Sequence, residues 1–158
     1  MKPLVVIIMG SKTDMDHCQK IAEACRTYGL DCQLRIASAH KIPEHALVLL
    51  REYESDPRPK VYITAAGRSN ALSGFVDGSV NAPVIACPPV SEGFSGSDIY
   101  SSLRMPSGIA PAVVLEPANA ALLAAKILGL VAPDVRSMVS ASRKRAVEQV
   151  LKDDSDCQ

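Results

Sequence analysis

A serine, a histidine and a lysine stand close together in the segment IASAHKIPEH, residues 36–45. His40 is one of three histidines in the chain, and an imidazole can take up and release a proton near neutral pH. Ser38 and Lys41 add a hydroxyl group and a positive charge, which together suit a phosphate group. The residues alone leave two interpretations open: His40 transfers a proton in an active site, or it is a polar residue that closes a strand.

Two other kinds of site are disfavoured by the same stretch of sequence. His40 and His45 are five residues apart, with no cysteine or second carboxylate in register, so no metal site is predicted. The chain has no GxSxG motif, and Cys87 is the only cysteine on the predicted strand-end loops, which disfavours a nucleophile paired with a base. We therefore expect neither a metal nor a cofactor.

A second candidate site is the segment GSKTD, residues 10–14. Gly10 allows a sharp turn, and Ser11 lies where the N-terminus of a helix offers free N–H groups to one phosphate. Asp14 can accept hydrogen bonds from a ribose diol. The segment matches neither GxGxxG nor GxxxxGK[ST], so a dinucleotide or a nucleoside triphosphate is not predicted. An equally weighted alternative is that Ser11, Thr13 or Asp14 only caps the following helix.

A third candidate is the segment AAGRSNALSG, residues 65–74, whose small side chains let a ligand approach the backbone closely. Ser69 and Asn70 supply neutral hydrogen-bonding groups there. The alternative is a tight turn before a closely packed helix. Two further loops contain the motifs CPP and RMPSG, at residues 87–96 and 104–108. Their prolines suggest rigid walls with a mobile piece between them, and the alternative is that both are ordinary loops.

Alternating apolar runs and helical patterns must position these loops. Buried strands are predicted from the apolar runs at residues 4–10, 31–39, 60–67, 82–90 and 110–117. Helices are predicted over residues 11–29, 43–55, 68–80, 99–103, 118–130 and 133–152. This alternation implies one domain, residues 1–158, with a three-layer α/β/α sandwich, a flavodoxin-like parallel five-stranded sheet and an extra C-terminal helix. The candidate loops then meet at the carboxyl edge of the sheet.

Composition narrows the function further. Seventeen basic and seventeen acidic side chains cancel, and aromatic residues make up only 4% of the chain, so no nucleic-acid partner is predicted. No apolar run approaches the length of a membrane span, and the N-terminal run has the character of a buried strand, so we expect a cytoplasmic protein. The five cysteines include no CxxC pair and are expected to be reduced and buried.

Assembly is suggested by the last two predicted helices. The helix over residues 118–130 has Lys126 as its only charged residue, whereas an outer helix of a small α/β domain should keep a polar face. A second covering layer, and hence a subunit interface, is therefore expected. The helix over residues 133–152 has no following strand and is also a candidate to pack on a neighbouring subunit.

The loops, taken in this order, resemble those of the PurE-type enzymes of purine biosynthesis, which carry a carboxyl group onto aminoimidazole ribonucleotide. The resemblance covers nearly the whole chain. It rests on the motifs MGSKTD, SAHKIP, AAGRSNAL, PVIACPP, SSLRMPSG and NAALLAAKILG. The family resemblance also implies a homo-octamer with active sites between subunits.

The resemblance implies a role for each candidate residue. Ser11, Ser38 and Lys41 would bind the 5′-phosphate, Asp14 would bind the ribose, and His40 would transfer the proton. Gly10 belongs to the same substrate-binding loop as Ser11. The remaining substrate-binding residues, which would line the region where CO2 meets the imidazole ring, are Gly67, Arg68, Ser69 and Asn70.

Two features separate the two classes of this family. Class I mutases act on the N5-carboxy nucleotide and usually carry SAHR and a second histidine in a later GAAH-like segment. Here Lys41 replaces that arginine, and residues 65–74 contain no histidine. The sequence therefore resembles class II, the aminoimidazole ribonucleotide carboxylases, which use CO2 directly. The class I mutase reaction remains the alternative.

A non-catalytic nucleotide-binding or receiver-like module is a rival of a different kind. A receiver needs a phosphoacceptor aspartate after the third strand, and the segment AAGRSN after that strand has none. A module that only binds nucleotides would have no need of His40.

Overall fold

The computed structural model describes residues 1–90, 93 and 95–157. Within these residues the strands are β1 (Leu4–Met9), β2 (Asp31–Ile36), β3 (Lys60–Ala65), β4 (Val84–Ala86) and β5 (Ala112–Val113). The α-helices are α1 (Met15–Arg26), α2 (Pro43–Ser55), α3 (Leu72–Asp77), α4 (Tyr100–Leu103), α5 (Pro117–Leu128) and α6 (Pro133–Asp156). Single 3-10 turns, Lys12–Asp14 and Ser97–Ile99, lead into α1 and α4.

The strands form one sheet in the order β2-β1-β3-β4-β5, and each neighbouring pair is parallel. β1 lies inside the sheet and all six of its residues are buried, as expected of a strand with no polar side chain and helices on both faces. The predicted three-layer sandwich with a flavodoxin-like parallel sheet is confirmed, and so is the extra C-terminal helix.

Two apolar cores lie on opposite faces of the sheet because successive strand side chains point in opposite directions. On one face Val5, Ile7 and Met9 pack with buried residues of α1 and α5. On the other face Leu4, Val6 and Ile8 pack with α2 and α3. One continuous apolar strand therefore holds both helical layers in place.

Prolines explain where the observed elements are shorter than predicted. β4 and β5 cover three and two residues, although longer strands were predicted over 82–90 and 110–117. Pro83, Pro88 and Pro111 flank the observed strands, and a proline has no N–H to give to a ladder of strand hydrogen bonds. The predicted helix over 68–80 is also shorter, as α3, but this segment contains no proline; Arg68 at its start has φ +61°, which is not helical.

Part of the predicted second cover for α5 comes from the same chain. Val135 of α6 is 3% exposed and lies in the core with α5 residues. The Arg136 guanidinium donates to the carbonyl oxygens of Gly129 and Leu130 at the end of α5, which fixes the turn between the helices. Exposed apolar side chains remain on the far half of α6, at Val147, Val150 and Leu151.

The prediction that the cysteines are buried holds for some of them and fails for one. Cys18, Cys25 and Cys87 are buried, and Cys32 is half-buried. Cys157 is exposed and follows the end of α6. Among the described helices, none is both long enough and apolar enough to cross a membrane.

A buried hydroxyl in β3 gives the first testable prediction. Thr64 is fully buried, and its Oγ1 has no hydrogen-bond partner among the described residues. Thr64→Val keeps the branched shape and removes the unpaired group, so we expect the free energy of unfolding to rise by about 1 kcal/mol. Urea unfolding at one fixed protein concentration measures this change.

The matched control is Val61→Thr in the same strand, where the wild-type side chain is also fully buried. This variant introduces an unpaired hydroxyl and should lower the free energy of unfolding by about 1–3 kcal/mol. A loss of stability in Thr64→Val would contradict the prediction and would mean that the hydroxyl is hydrogen-bonded in solution.

Candidate active site

The sheet brings three loops to the same level at its carboxyl edge. Met9 pairs with Ile36 of β2 on one side and with Ala65 of β3 on the other. The next residues along each strand therefore begin three adjacent loops. From β1 the chain crosses to β2 on one side, and from β2 it crosses back to β3 on the other side of β1, so the direction of the crossovers reverses here. Open α/β sheets bind ligands at such a point.

A cavity of about 340 Å³ lies between these loops. Its volume is within the range of about 300–1,000 Å³ that is usual for small-molecule sites. All the predicted site residues except Asn70 line it: Gly10, Ser11, Asp14, Ser38, His40, Lys41, Gly67, Arg68 and Ser69. The sequence did not single out the other lining residues for a ligand: Thr13, Ala39, Ala66 and Leu72.

In the loop after β1, neither N-cap side chain bonds to the helical turn that follows it. Asp14 is the N-cap residue of α1 and Ser11 that of the preceding 3-10 turn, yet neither makes a side-chain capping hydrogen bond. The Asp14 carboxyl group is instead hydrogen-bonded back to Ser11, so the loop geometry leaves both the ligand-binding and the capping interpretation open. Gly10 does not have the positive φ that the predicted sharp turn suggested, and a Cβ there would lie 3.6 Å from the Cβ of Ala66, within ordinary contact.

The loop after β2 is a hydrogen-bonded turn with His40 at its tip. The Ser38 hydroxyl accepts the backbone N–H of Lys41 at 3.2 Å, and the Ser38 carbonyl accepts the N–H of Ile42 at 3.0 Å. His40 and Lys41 are exposed, and neither side chain has a hydrogen bond or an ion pair with a described residue. An imidazole and an ammonium group thus face the cavity with their bonding capacity unused.

The loop after β3 contains one residue in an unusual conformation and one that is turned inward. Arg68 has φ +61°, while its side chain and that of Ser69 are exposed at the cavity wall. Asn70 is only 3% exposed: its Nδ2 donates to Ser102 Oγ at 2.8 Å, and its Oδ1 accepts the N–H of Ser73 at 3.2 Å. The structure therefore does not bring the Asn70 amide to the cavity, in contrast to the other predicted residues.

His17 is a neighbour of the site that sequence reasoning missed. Its Nε2 lies 3.0 Å from the carbonyl oxygen of Cys87, so α1 is joined to the CPP turn after β4. The two residues are 70 positions apart, and no spacing rule pairs them. Burial raises the pKa of the Cys87 thiol to about 12, so this sulfur stays protonated and acts as a packing group at neutral pH.

A second, smaller cavity of about 150 Å³ adjoins the first and shares Ala66 and Gly67 with it. Pro88 and Pro89 form part of its wall, as predicted for a rigid CPP turn. Ser91, Glu92 and Phe94, which belong to the predicted mobile piece, lie outside the described residues. Among the described side chains, no three His, Cys, Asp or Glu residues come together as possible metal ligands.

The electrostatics of Asp14 predict how stability depends on pH. Burial raises the pKa of its carboxyl group above the ordinary value, while positive charge on His17 and hydrogen bonding to Ser11 oppose the rise. Between the ordinary and the raised pKa the folded protein holds a proton that the unfolded chain has lost. This contribution to stability therefore decreases as the pH rises through that interval.

We expect Asp14→Asn to be more stable than the wild type at neutral pH, with a difference that disappears below the ordinary pKa of 3.8. Urea unfolding at several pH values measures the difference. Asp16→Asn, which removes an exposed carboxylate two residues away, is the matched control and should show no such pH-dependent gain. Equal or lower stability of Asp14→Asn at neutral pH would contradict the prediction.

Comparisons with known proteins agree with this site. Residues 4–149 match the family model AIRC, described as AIR carboxylase. The phosphoribosylaminoimidazole carboxylase of Treponema denticola is 56% identical over 155 residues, which are 98% of this chain and 98% of that protein. The bifunctional phosphoribosylaminoimidazole carboxylase/phosphoribosylaminoimidazole succinocarboxamide synthetase of Drosophila melanogaster is 53% identical over 80% of this chain and 30% of that protein.

A solved structure gives the same result in three dimensions. The crystal structure of Treponema denticola PurE superposes with a TM-score of 0.96 at 55% sequence identity, and the match covers 98% of each chain. At this identity over nearly the full length, the relation extends beyond the fold. The chain belongs to the AIR carboxylase family.

Proposed function

We propose that this protein carboxylates 5-aminoimidazole ribonucleotide at C4 with CO2, giving 4-carboxy-5-aminoimidazole ribonucleotide in purine biosynthesis. The observation that carries the proposal is the strand-end cavity, in which the His40 imidazole lies beside hydroxyl and cationic groups suited to a phosphate. Family membership supports the substrate class, since both of the relatives named above have names that include phosphoribosylaminoimidazole carboxylase.

The nucleotide is held mainly at its phosphate and ribose. Ser11, Ser38 and Lys41 bind the 5′-phosphate, and the Asp14 carboxylate accepts hydrogen bonds from the ribose hydroxyls. These contacts are remote from the reacting carbon, and their binding energy orients the imidazole ring toward the loop after β3. This leaves the ring edge between His40 and the residues Gly67 to Ser69.

The carbon–carbon bond forms without an activated carboxyl carrier. The 5-amino group pushes electron density to C4, and C4 attacks the carbon of CO2 while one C–O π pair moves to oxygen. The product of this step carries both a hydrogen and a carboxylate on C4, and the ring is a cation. The protein has to hold a flat ring against a weakly binding gas, so positioning supplies much of the rate.

His40 completes the reaction by moving one proton. Neutral imidazole takes the C4 proton, and the electrons of the C–H bond restore the aromatic ring. The imidazolium then releases the proton to solvent. In the reverse direction the imidazolium protonates C4 before CO2 leaves, so a single group serves both directions.

The carboxylase reaction is favoured over the class I mutase reaction by two features of the cavity. Lys41 follows His40 where class I members carry arginine, and among the described cavity-lining residues His40 is the only imidazole. A mutase moves the carboxyl group from N5 to C4, and class I members usually carry a second histidine in a GAAH-like segment. Here the loop after β3 offers glycine, arginine and serine instead.

The proposed assembly is a homo-octamer in the cytoplasm, with active sites between subunits. The exposure of His40 supports this, since a closed site excludes water from the reacting groups. Apolar side chains on the last turns of α6 give a second copy a surface to pack on, with Val150 67% exposed and Leu151 64% exposed.

One assay separates the carboxylase from the mutase. Purified protein is given aminoimidazole ribonucleotide with dissolved CO2, with bicarbonate, or with neither, always without ATP, and a parallel sample receives the N5-carboxy nucleotide. We expect a burst of C4-carboxylated product on adding CO2 and a slower start with bicarbonate, because bicarbonate must first dehydrate. Rapid conversion of the N5-carboxy nucleotide with no reaction from CO2 would establish the mutase instead.

Variants of His40 and Lys41 should separate catalysis from binding. We expect His40→Asn to lower kcat by about 10²–10⁴-fold with little change in nucleotide affinity, because only the proton transfer is lost. Lys41→Ala should instead weaken nucleotide binding by about tenfold at nearly normal kcat. Measured turnover and equilibrium binding check both.

The matched control for Lys41 is the nucleoside without its phosphate. Lys41→Ala and the wild type should bind this compound equally, since the proposed partner of the lysine is absent. Normal turnover in His40→Asn would remove His40 from the mechanism and favour a module that only binds nucleotides. An unchanged affinity of Lys41→Ala for the nucleotide would contradict the phosphate assignment.

A further inference from the structure

Residues 67–70 form a strained loop at the cavity wall. Arg68 has φ +61°, in the left-handed region that side chains other than glycine seldom adopt. A conformation of this kind persists only where surrounding contacts fix it, and such residues concentrate at functional sites. The contacts that fix this loop come from residues that the proposed mechanism does not use.

The first contact is made by Asp98, in the 3-10 turn before α4. Its Oδ2 accepts the backbone N–H of Arg68 at 3.0 Å, a bond strengthened by the carboxylate charge. The same oxygen would lie 3.9 Å from a Cβ placed on Gly67, so the carboxylate packs directly against this part of the loop. Asp98 does not line the cavity of about 340 Å³; it lines the smaller adjoining cavity together with Gly67.

The second contact is made by Ser101, in α4 itself. Its Oγ accepts the backbone N–H of Asn70 at 2.9 Å. The same hydroxyl lies 3.2 Å from the carbonyl oxygen of Arg68 and 2.8 Å from that of Asp98, and it can donate its single proton to either. The peptide groups on both sides of Ser69 are therefore held by one short segment.

We propose that Asp98 and Ser101 are positioning residues for the reaction, holding the loop from Gly67 to Asn70 in the left-handed turn that presents Arg68 and Ser69 to the cavity. The inference rests on the proposed function, in which this loop faces the ring and CO2. If the Arg68 N–H loses its acceptor, the backbone relaxes toward negative φ and Ser69 moves away from the cavity. A displacement of about 1 Å in a catalytic site can lower the rate by about 10²-fold.

The experiment compares three variants in the assay with aminoimidazole ribonucleotide and CO2. Asp98→Ala should lower kcat by about 10–100-fold while nucleotide affinity stays within about twofold, because the phosphate grip lies on other loops. Asp98→Asn keeps a carbonyl acceptor and should restore most of the activity. Ser101→Ala should lower kcat in the same direction and serves as a second test if Asp98→Ala folds poorly.

The matched control is Asp77→Ala. The Asp77 carboxylate accepts the backbone N–H of Ala110 at 2.8 Å, across 33 residues, and thus makes the same type of long-range bond away from the cavity. This variant should have normal kcat. A loss in Asp77→Ala as large as that in Asp98→Ala would overturn the inference, since the effect would then be general destabilisation.

Hydrogen exchange of the loop supplies a readout that does not depend on activity. Peptides covering residues 67–71 should exchange faster in Asp98→Ala and Ser101→Ala than in the wild type, because the amides of Arg68 and Asn70 lose their acceptors. Unchanged exchange, or unchanged kcat, in both variants would overturn the inference. A wild type inactive toward every nucleotide tested would overturn the proposed function, and the exchange result would still decide whether these contacts hold the loop.

Discussion

The register between three parallel strands is the constraint on which the rest of the site depends. Met9 is level with Ile36 on one side and with Ala65 on the other, so three loops begin at the same height above the sheet. A slip of one residue would turn the side chains of a strand to the opposite face and bury polar groups against a helix. In β2, Cys32 and Leu34 pack against one core while Gln33 and Arg35 contact Tyr53 on the other face, so this alternation fixes the register of β2 on β1 and therefore the cavity.

Only some of the polar side chains that line the cavity form hydrogen bonds within the protein. Ser38 and Asp14 form hydrogen bonds within their own loops, but the side chains of His40 and Lys41 are not bonded to a described residue. Groups left in this way stabilise the fold less than they would if they were paired. Burial that raises the pKa of Asp14 is a cost of the same kind. Unpaired polar groups weaken a fold, and they are expected at sites where a ligand provides the missing hydrogen bonds.

The sequence predicted the architecture because its strongest signals are local. Continuous apolar runs predicted the strands, and Pro43 and Pro133 begin helices at the predicted positions. Pro117 was predicted to end a strand, whereas it begins α5. The lengths of β4 and β5 were overestimated, since the predicted strands include Pro83, Pro88 and Pro111, which have no N–H to give to the hydrogen-bonded ladder. The candidate loops were found because each follows a strand, and parallel strands carry their following loops to one edge.

Asn70 shows what local reasoning does not reach. Its amide can hydrogen-bond to a ligand or to the loop equally well, and the residues next to it in sequence do not indicate which partner it has. The choice is decided by Ser101 and Ser102, more than thirty residues further along the chain, because their helix covers the amide and bonds to it. His40 differs in that no group in the described part of the chain bonds to its ring, so its chemistry remains available. Whether a polar residue at a strand end acts on the substrate or on the backbone is therefore set by what packs over it.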